Sequence, residues 1–366
     1  AGVAAFDLIT NFSQGTVPEE LVNQYSPGSP IYNAVWEKII KAAETYHEPG
    51  RFTAFIGFEW TSVPKGFNLH RNVIFRSEAV PALPLSTFDA STPQALWSGL
   101  DTLCTDAPGN CEFLVIPHNS NQSNGHLFPL EYASAAEAEA RLHYEPLMEI
   151  FQHKGDSECR NDLSGLGPPD EQCDFEKLRG PEPVSDCFDE PGTGGIAGLG
   201  CQNRSDFYRG LMLVGLEIEQ AIGVNPYQMG VIASTDTHNG TPGLVQEADF
   251  KGHLGLEEGD TDGRLDLPQF NPGGIRNNPG GLAAVWAEEN SRDAIFAAMQ
   301  RRETYATSGT RPAVRPFAGW QFPAAAGDQH CCWIVLDGDL DWSWARPLPE
   351  ICPIHRPHGD LIAARG

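Results

Sequence analysis

Short apolar runs alternate along this chain with segments of helical period. Residues 33 to 48 carry apolar side chains at helical spacing and stop at Pro49-Gly50, which ends helices. Phe52 to Phe58 reads as a strand ending at Glu59, and Asn72 to Phe75 as a second strand. Ser91-Thr92-Pro93 predicts a helix start with Pro in its first turn. Phe113 to Ile116 predicts a buried strand ending in Pro117-His118, and Ala133 to Leu142 a helix. Leu147 to Phe151 is the next strand, ending near His153-Lys154, and residues 155 to 203 follow as a long Gly-, Pro- and Cys-rich loop. An amphipathic helix is predicted over Asp206 to Gln220 and a strand over Gly230 to Ala233. Residues 250 to 281 read as loop, Leu282 to Ala287 as a strand, and Ser291 to Arg302 as a capped helix. Short buried strands alternating with helices predict an α/β fold with a mainly parallel sheet. From about Pro316 the period fades, so residues 1–315 read as one domain and 316–366 as an atypical tail.

Composition narrows the function classes. The 366 residues can bury a sizeable core, and 40% hydrophobic content fits a globular protein. A net charge of −25 argues against nucleic acid or an anionic membrane as partner, because little would neutralise their phosphates. No apolar run approaches the roughly 20 residues of a membrane helix. The opening AGVAAFDLITNFSQG lacks an initiator Met and a basic n-region, and predicts a mature or truncated chain. No GxGxxG or P-loop lies between strand and helix, and no G-x-S-x-G elbow occurs, which lowers nucleotide-binding and serine-hydrolase readings.

Six of the nine cysteines lie in polar loops: Cys104 and Cys111, Cys159 and Cys173, Cys187 and Cys201. This predicts disulfides and a periplasmic or secreted protein. Sequence neighbours are the preferred pairing; other connectivities, or reduced cytosolic thiols, stay open.

The strand ends carry candidate chemistry. Glu59 ends FIGFE, His70 precedes a strand, His118 ends FLVIPH, His153 lies just beyond EIFQ, and Asp236 and His238 follow VIAST. Any one of these reads equally as a capping carboxylate or a hydrogen-bonded histidine. Their recurrence at strand ends points to a shared site, because strand ends converge on one face of a parallel α/β barrel. Asp-x-His on an extended segment sends both side chains to one side. Carboxylates and imidazoles together suit Mn, Zn or Fe.

Six motifs in order, GFEWTS, NLHRNVIFR, IPHNSNQSNG, EIFQHKGDSEC, GVNPYQMGVIASTDTHNGTPG and RRETYATSGTRP, resemble an exported bacterial family. It is the family of domain of unknown function 3604, within the polymerase and histidinol phosphatase (PHP) superfamily, and the similarity covers about residues 1 to 315. The resemblance implies a distorted (β/α)7 barrel with two or three divalent metals, most often a phosphoesterase. It implies that Glu59 bridges two metals, that His70 and His118 are ligands of one, and that Asp236 and His238 complete the other positions. PHP sites also begin with an H-x-H and a D-H pair, and neither precedes Glu59 here. The barrel is therefore expected to be incomplete at its N-terminus, and the chain to bind metal weakly and hydrolyse esters poorly or not at all.

The expected activity is metal-dependent hydrolysis of a small phosphate ester, with metals that polarise the ester oxygen and activate water. Lys154 is expected to bind a substrate oxyanion, Arg71 to do the same, and His153 to act as a general acid or substrate contact. Asn119 and Asn239 are expected to orient ligands. The rivals are an aryl sulfate ester hydrolase on the same metals, a non-catalytic exported binding protein, and an inactive gene fragment.

Overall fold

The computed structural model describes residues 19–107, 109, 111–166, 169–179, 184–188, 190–250, 252, 261–266, 277–314 and 361–363. Helix α1 (Glu19–Tyr25) precedes α2 (Pro30–Tyr46), where Ser29 accepts from the Tyr32 N–H and Pro30 opens the first turn. Strand β1 (Ile56–Trp60) and β2 (Arg71–Phe75) form an antiparallel pair, and β3 (Phe113–Pro117) adds to β2, again antiparallel. Between them runs α3 (Pro93–Asp106), capped by the Thr92 hydroxyl. Helix α4 (Ala135–Tyr144) leads to β4 (Leu147–Gln152), which folds back on β5 (Gly155–Asp156) and pairs in parallel with β6 (Gly230–Ala233). Helix α5 (Tyr208–Ile222) lies between β5 and β6 in sequence. A short α6 (Thr261–Asp266) falls in the segment expected as loop. Strand β7 (Leu282–Trp286), α7 (Arg292–Gln300) and β8 (Thr304–Thr307) close the domain, with β8 antiparallel to β7. A strand β9 (Leu361–Ala363) also pairs with β7, and the rest of the expected tail lies outside the described residues.

The three sheets have orders β1-β2-β3, β5-β4-β6 and β8-β7-β9. β3 lies against β4, and β6 against β7 and β8. The fold is mixed α/β, and no sheet closes into a barrel among the described residues. The expected parallel bias is absent: the only parallel pair among the described strands is β4 with β6. The reason for β1 and β2 lies in their link, residues 61 to 70. It holds one short 3₁₀ turn, too little for the crossover a parallel pair needs.

Alternation along the strands sorts two cores. Ile56, Trp60, Val73, Phe75 and Val115 face α2, α3 and α5, joining Trp36, Leu96, Leu100, Leu211 and Val214. Leu114, Ile116, Leu147 and Ile232 face α7 through Phe296 and Met299. Burial of such side chains, at ~1.5–3 kcal/mol each, is the main favourable term. The preferred cysteine pairs are the observed ones: Cys104–Cys111, Cys159–Cys173 and Cys187–Cys201. Although these cysteines lie in polar loop sequence, Cys159, Cys173 and Cys187 are buried. Three disulfides fit an oxidising compartment. No helix among the described residues is long and apolar enough to cross a membrane.

Candidate metal centre

Glu59 does not end its strand. It lies within β1, opposite Asn72 of β2, which in turn faces Ile116 of β3. Trp60 beyond it is buried in the core, so period two turns Glu59 to the other face. His70 and His118 lie two residues from Asn72 and Ile116, on that same face. The result is a cluster in which ligand atoms of Glu59, His70 and His118 lie within 4.8 Å of one another. His70 Nδ1 donates to Glu59 Oε1 at 2.8 Å, and His118 Nε2 stands 3.5 Å from the same oxygen. Asn72 contacts His118 Nδ1 at 3.2 Å, and the Thr61 hydroxyl donates to Glu59 at 3.0 Å. Buried Asn68 ties the two histidine segments together: its amide donates to the carbonyls of His118 and Asn119, and its oxygen accepts from the His70 N–H.

A second cluster holds His153, Asp236 and His238, again within 4.8 Å. The β4–β5 hairpin presents His153 and Lys154 at its two-residue turn, where Gln152 faces Gly155. Asp236 follows β6 with φ 47°, a left-handed conformation in which Asp is tolerated better than most residues. Its Oδ2 lies 3.4 Å from His153 Nε2, accepts from the Gln152 amide at 2.8 Å, and is paired with the Lys154 ammonium. Asn277 contacts His153 Nδ1 at 3.1 Å. The five residues expected in one set thus fall into two triads, and His153, expected as an acid, stands with Asp236 and His238.

The triads share one electrostatic site. Burial opposes ionisation of Glu59, but hydrogen bonds from His118 and His70 outweigh it and hold the carboxyl well below its ordinary range. For His118, burial lowers the pKa, but Glu59, with Glu149 and Asp236 behind it, raises the imidazole to about 9. Burial likewise opposes ionisation of Asp236, yet Lys154, His153 and His118 together hold it well below its usual value. His70 is lowered, chiefly by burial, despite Glu59. Glu149, inside β4, feels both triads: burial first, and Asp236 next among the groups that raise it, push it to about 7 against the pull of His118. Its Oε2 accepts from the Ser234 hydroxyl at 2.5 Å.

Other expected residues are placed differently. Arg71 is fully buried on the core side of β2, in an ion pair with Glu145 at 2.7 Å and over the Trp60 ring. Period two gives it the face opposite His70 and Asn72, so it is a core cation and not the expected substrate contact. Asn119, also left-handed at φ 55°, bonds through its side chain to Asn121. Asn239 caps its own loop, accepting from Thr237 and donating to the Gly252 carbonyl. The orienting contacts come instead from Asn72, Asn277 and Gln152, together with Asn68. Glu149 had a sequence signal, a lone carboxylate inside the apolar run LMEIFQ; Asn277 had none.

The donor set suits divalent cations. Each triad combines one carboxylate with two imidazoles, a composition favouring Zn, Mn or Fe. His70 Nε2 and Glu149 Oε1 are buried without a hydrogen-bond partner, an arrangement that costs energy unless a ligand compensates it. In the second triad Lys154 supplies the positive partner that Asp236 needs.

The motif Asn119 to Gly125 joins the triads to the cross-linked segment. Asn121 donates to the Lys154 carbonyl at 3.0 Å, and Ser157 Oγ accepts from its N–H. Gln202 donates to the Asn121 carbonyl, and Asn124 to those of Leu199 and Cys201. Buried Asp206 accepts from Ser123 and from the Gly125 N–H.

A family model described as "Protein of unknown function (DUF3604)" matches residues 1–333. No curated protein matches the chain, and no solved structure does.

Proposed function

The chain belongs to the DUF3604 family, and on that premise we propose that it is a metal-dependent hydrolase of phosphate esters, built as a PHP-type barrel. The observation that carries this reading is the pair of adjacent triads, Glu59–His70–His118 and His153–Asp236–His238. The first triad would hold one divalent ion and the second another, with Glu149 beside both. When bound, such ions supply Lewis acidity toward an ester oxygen and toward water. The chain's own residues do the rest. Asn68 and Asn72 fix the histidines of the first triad, and Gln152 and Asn277 fix Asp236 and His153 of the second. Lys154, at the rim of the second triad, offers a point charge for a substrate oxyanion. We assign His153 to metal binding, since its Nε2 faces Asp236 and its Nδ1 faces Asn277.

Metal analysis of the full chain tests the reading, together with hydrolysis of nitrophenyl phosphate, its bis ester and nitrophenyl sulfate. About two divalent ions per chain are expected, with loss of the first on His70→Ala and of the second on Asp236→Ala, and turnover of a phosphate ester by the loaded protein. Turnover of the sulfate alone would replace the phosphate reading. A chain that takes up no divalent metal would overturn both.

A further inference from the structure

An apolar cleft opens beside the first triad. It encloses about 430 Å³, within the range that holds small organic ligands (roughly 300–1,000 Å³), and Glu59 and Thr61 form its inner end. Its outer wall is the stripe Ile31, Val35 and Ile39 on α2, spaced one helical turn apart and 37–49% exposed. Tyr32, Trp36 and Phe58 also line it. The polar edges of Tyr32 and Trp36 are already committed: Tyr32 Oη donates to the Pro84 carbonyl and Trp36 Nε1 to that of Pro81, each at 3.0 Å. The Thr61 hydroxyl is taken by Glu59. What remains toward the cleft is mainly apolar surface with the hydroxyls of Tyr25, Ser86 and Thr87 among it, and Glu59 is the one charged residue among those that line it.

Resting on the hydrolase reading, we infer that this cleft receives an uncharged, ring-bearing organic group of the ester, while the ester itself lies at Glu59. Continuity carries the inference: Glu59, a member of the first triad, is also one of the residues that line the cleft. A sugar or nucleoside arm would bring many hydroxyl and amide groups against a lining that offers few polar partners, at a cost for each one left unpaired. A fused aromatic ring meets apolar faces and edges throughout.

The test uses the full chain and two kinds of measurement. The first is direct: tryptophan fluorescence is titrated with 1-naphthol, the arm without the ester, in wild type, Val35→Lys and Ile31→Lys. Both positions are exposed on α2, and circular dichroism checks that each variant is folded. Saturable binding is expected for wild type and at least about tenfold weaker binding for the variants, the loss that follows from withdrawing a modest apolar area. The second compares 1-naphthyl phosphate with methyl phosphate on the metal-loaded protein. KM is expected about tenfold lower for the naphthyl ester. Val35→Lys should raise that KM and leave kcat and KM for methyl phosphate unchanged. Absence of naphthol binding, as when another part of this chain fills the cleft, overturns the inference; so does binding that the variants do not alter. If neither ester is hydrolysed, the hydrolase reading fails, and the naphthol titration still decides the cleft.

Discussion

Two buried charged groups illustrate how single residues set the behaviour of this protein. Glu149 has a folded-state pKa raised from 4.5 to about 7, chiefly by burial. Its contribution to stability is therefore fully present below pH 4.5 and lost as pH rises through 7. In the metal-free protein, wild type should lose on the order of 2–3 kcal/mol relative to Glu149→Gln across that window. Denaturant unfolding of both proteins at a series of pH values reads this, and parallel curves would contradict it. Arg71 and Arg141 share Glu145, all three side chains at most 2% exposed. Glu145→Gln leaves two guanidinium groups without their counter-charge and should cost about 3–5 kcal/mol, measured as a fall in unfolding free energy. Nothing in the sequence near Arg71 announces this role. Its partner lies on the far end of α4, and an arginine beside a candidate ligand reads as a substrate contact until the pleat is seen to turn it inward.

At the level of elements, period and caps were legible wherever the physics is local. Ser29, Thr92, Ser134 and Ser291 each accept from a first-turn N–H; the starts at Thr92 and Ser291 are those the sequence predicts, while the helices capped by Ser29 and Ser134 begin three residues before and two after the predicted starts at residues 33 and 133. The C-terminal ends of β3 and β6 were legible too, because their apolar runs stop at polar residues, whereas β1 runs on through Glu59 to Trp60. What was not legible is which strand lies beside which. Glu59, His70 and His118 meet because β1, β2 and β3 are consecutive neighbours, whereas Asp236 joins His153 through the β4–β6 pairing. Sequence spacing carries no information on that division, so the five candidate ligands read as one set. The cross-linked segment gives an element-scale prediction. Cys159→Ser/Cys173→Ser opens a loop of separation 14 and should cost roughly 3 kcal/mol. Because Asn121 and Gln202 tie the neighbouring segment to Lys154, metal affinity of the second triad should fall as well, although no ligand has changed. Calorimetric titration with Zn or Mn measures it; unchanged affinity would show that the hairpin holds its turn without the staple.

Across the whole molecule, each triad is assembled from residues far apart in the chain and secured by a segment that covalent bonds hold in place. The expected (β/α)7 closure is not drawn by hydrogen bonds among the described strands, yet the strand order still brings both clusters of ligand atoms into one electrostatic field. The clasp of Asn121, Asn124 and Gln202 on the disulfide-bonded segment has a consequence in time as well as in space. In a newly synthesised chain whose six paired cysteines are still reduced, no covalent bond holds that clasp, and hydrogen bonds alone keep the hairpin turn against the His118 loop. On the proposed metal-dependent reading, such a chain would meet the metals of a reducing compartment with a less constrained second triad and compete less well for them. On that same reading, oxidation would then be the step that readies the second triad for a metal, and the surroundings in which the cysteines pair would bear on which metal is taken up.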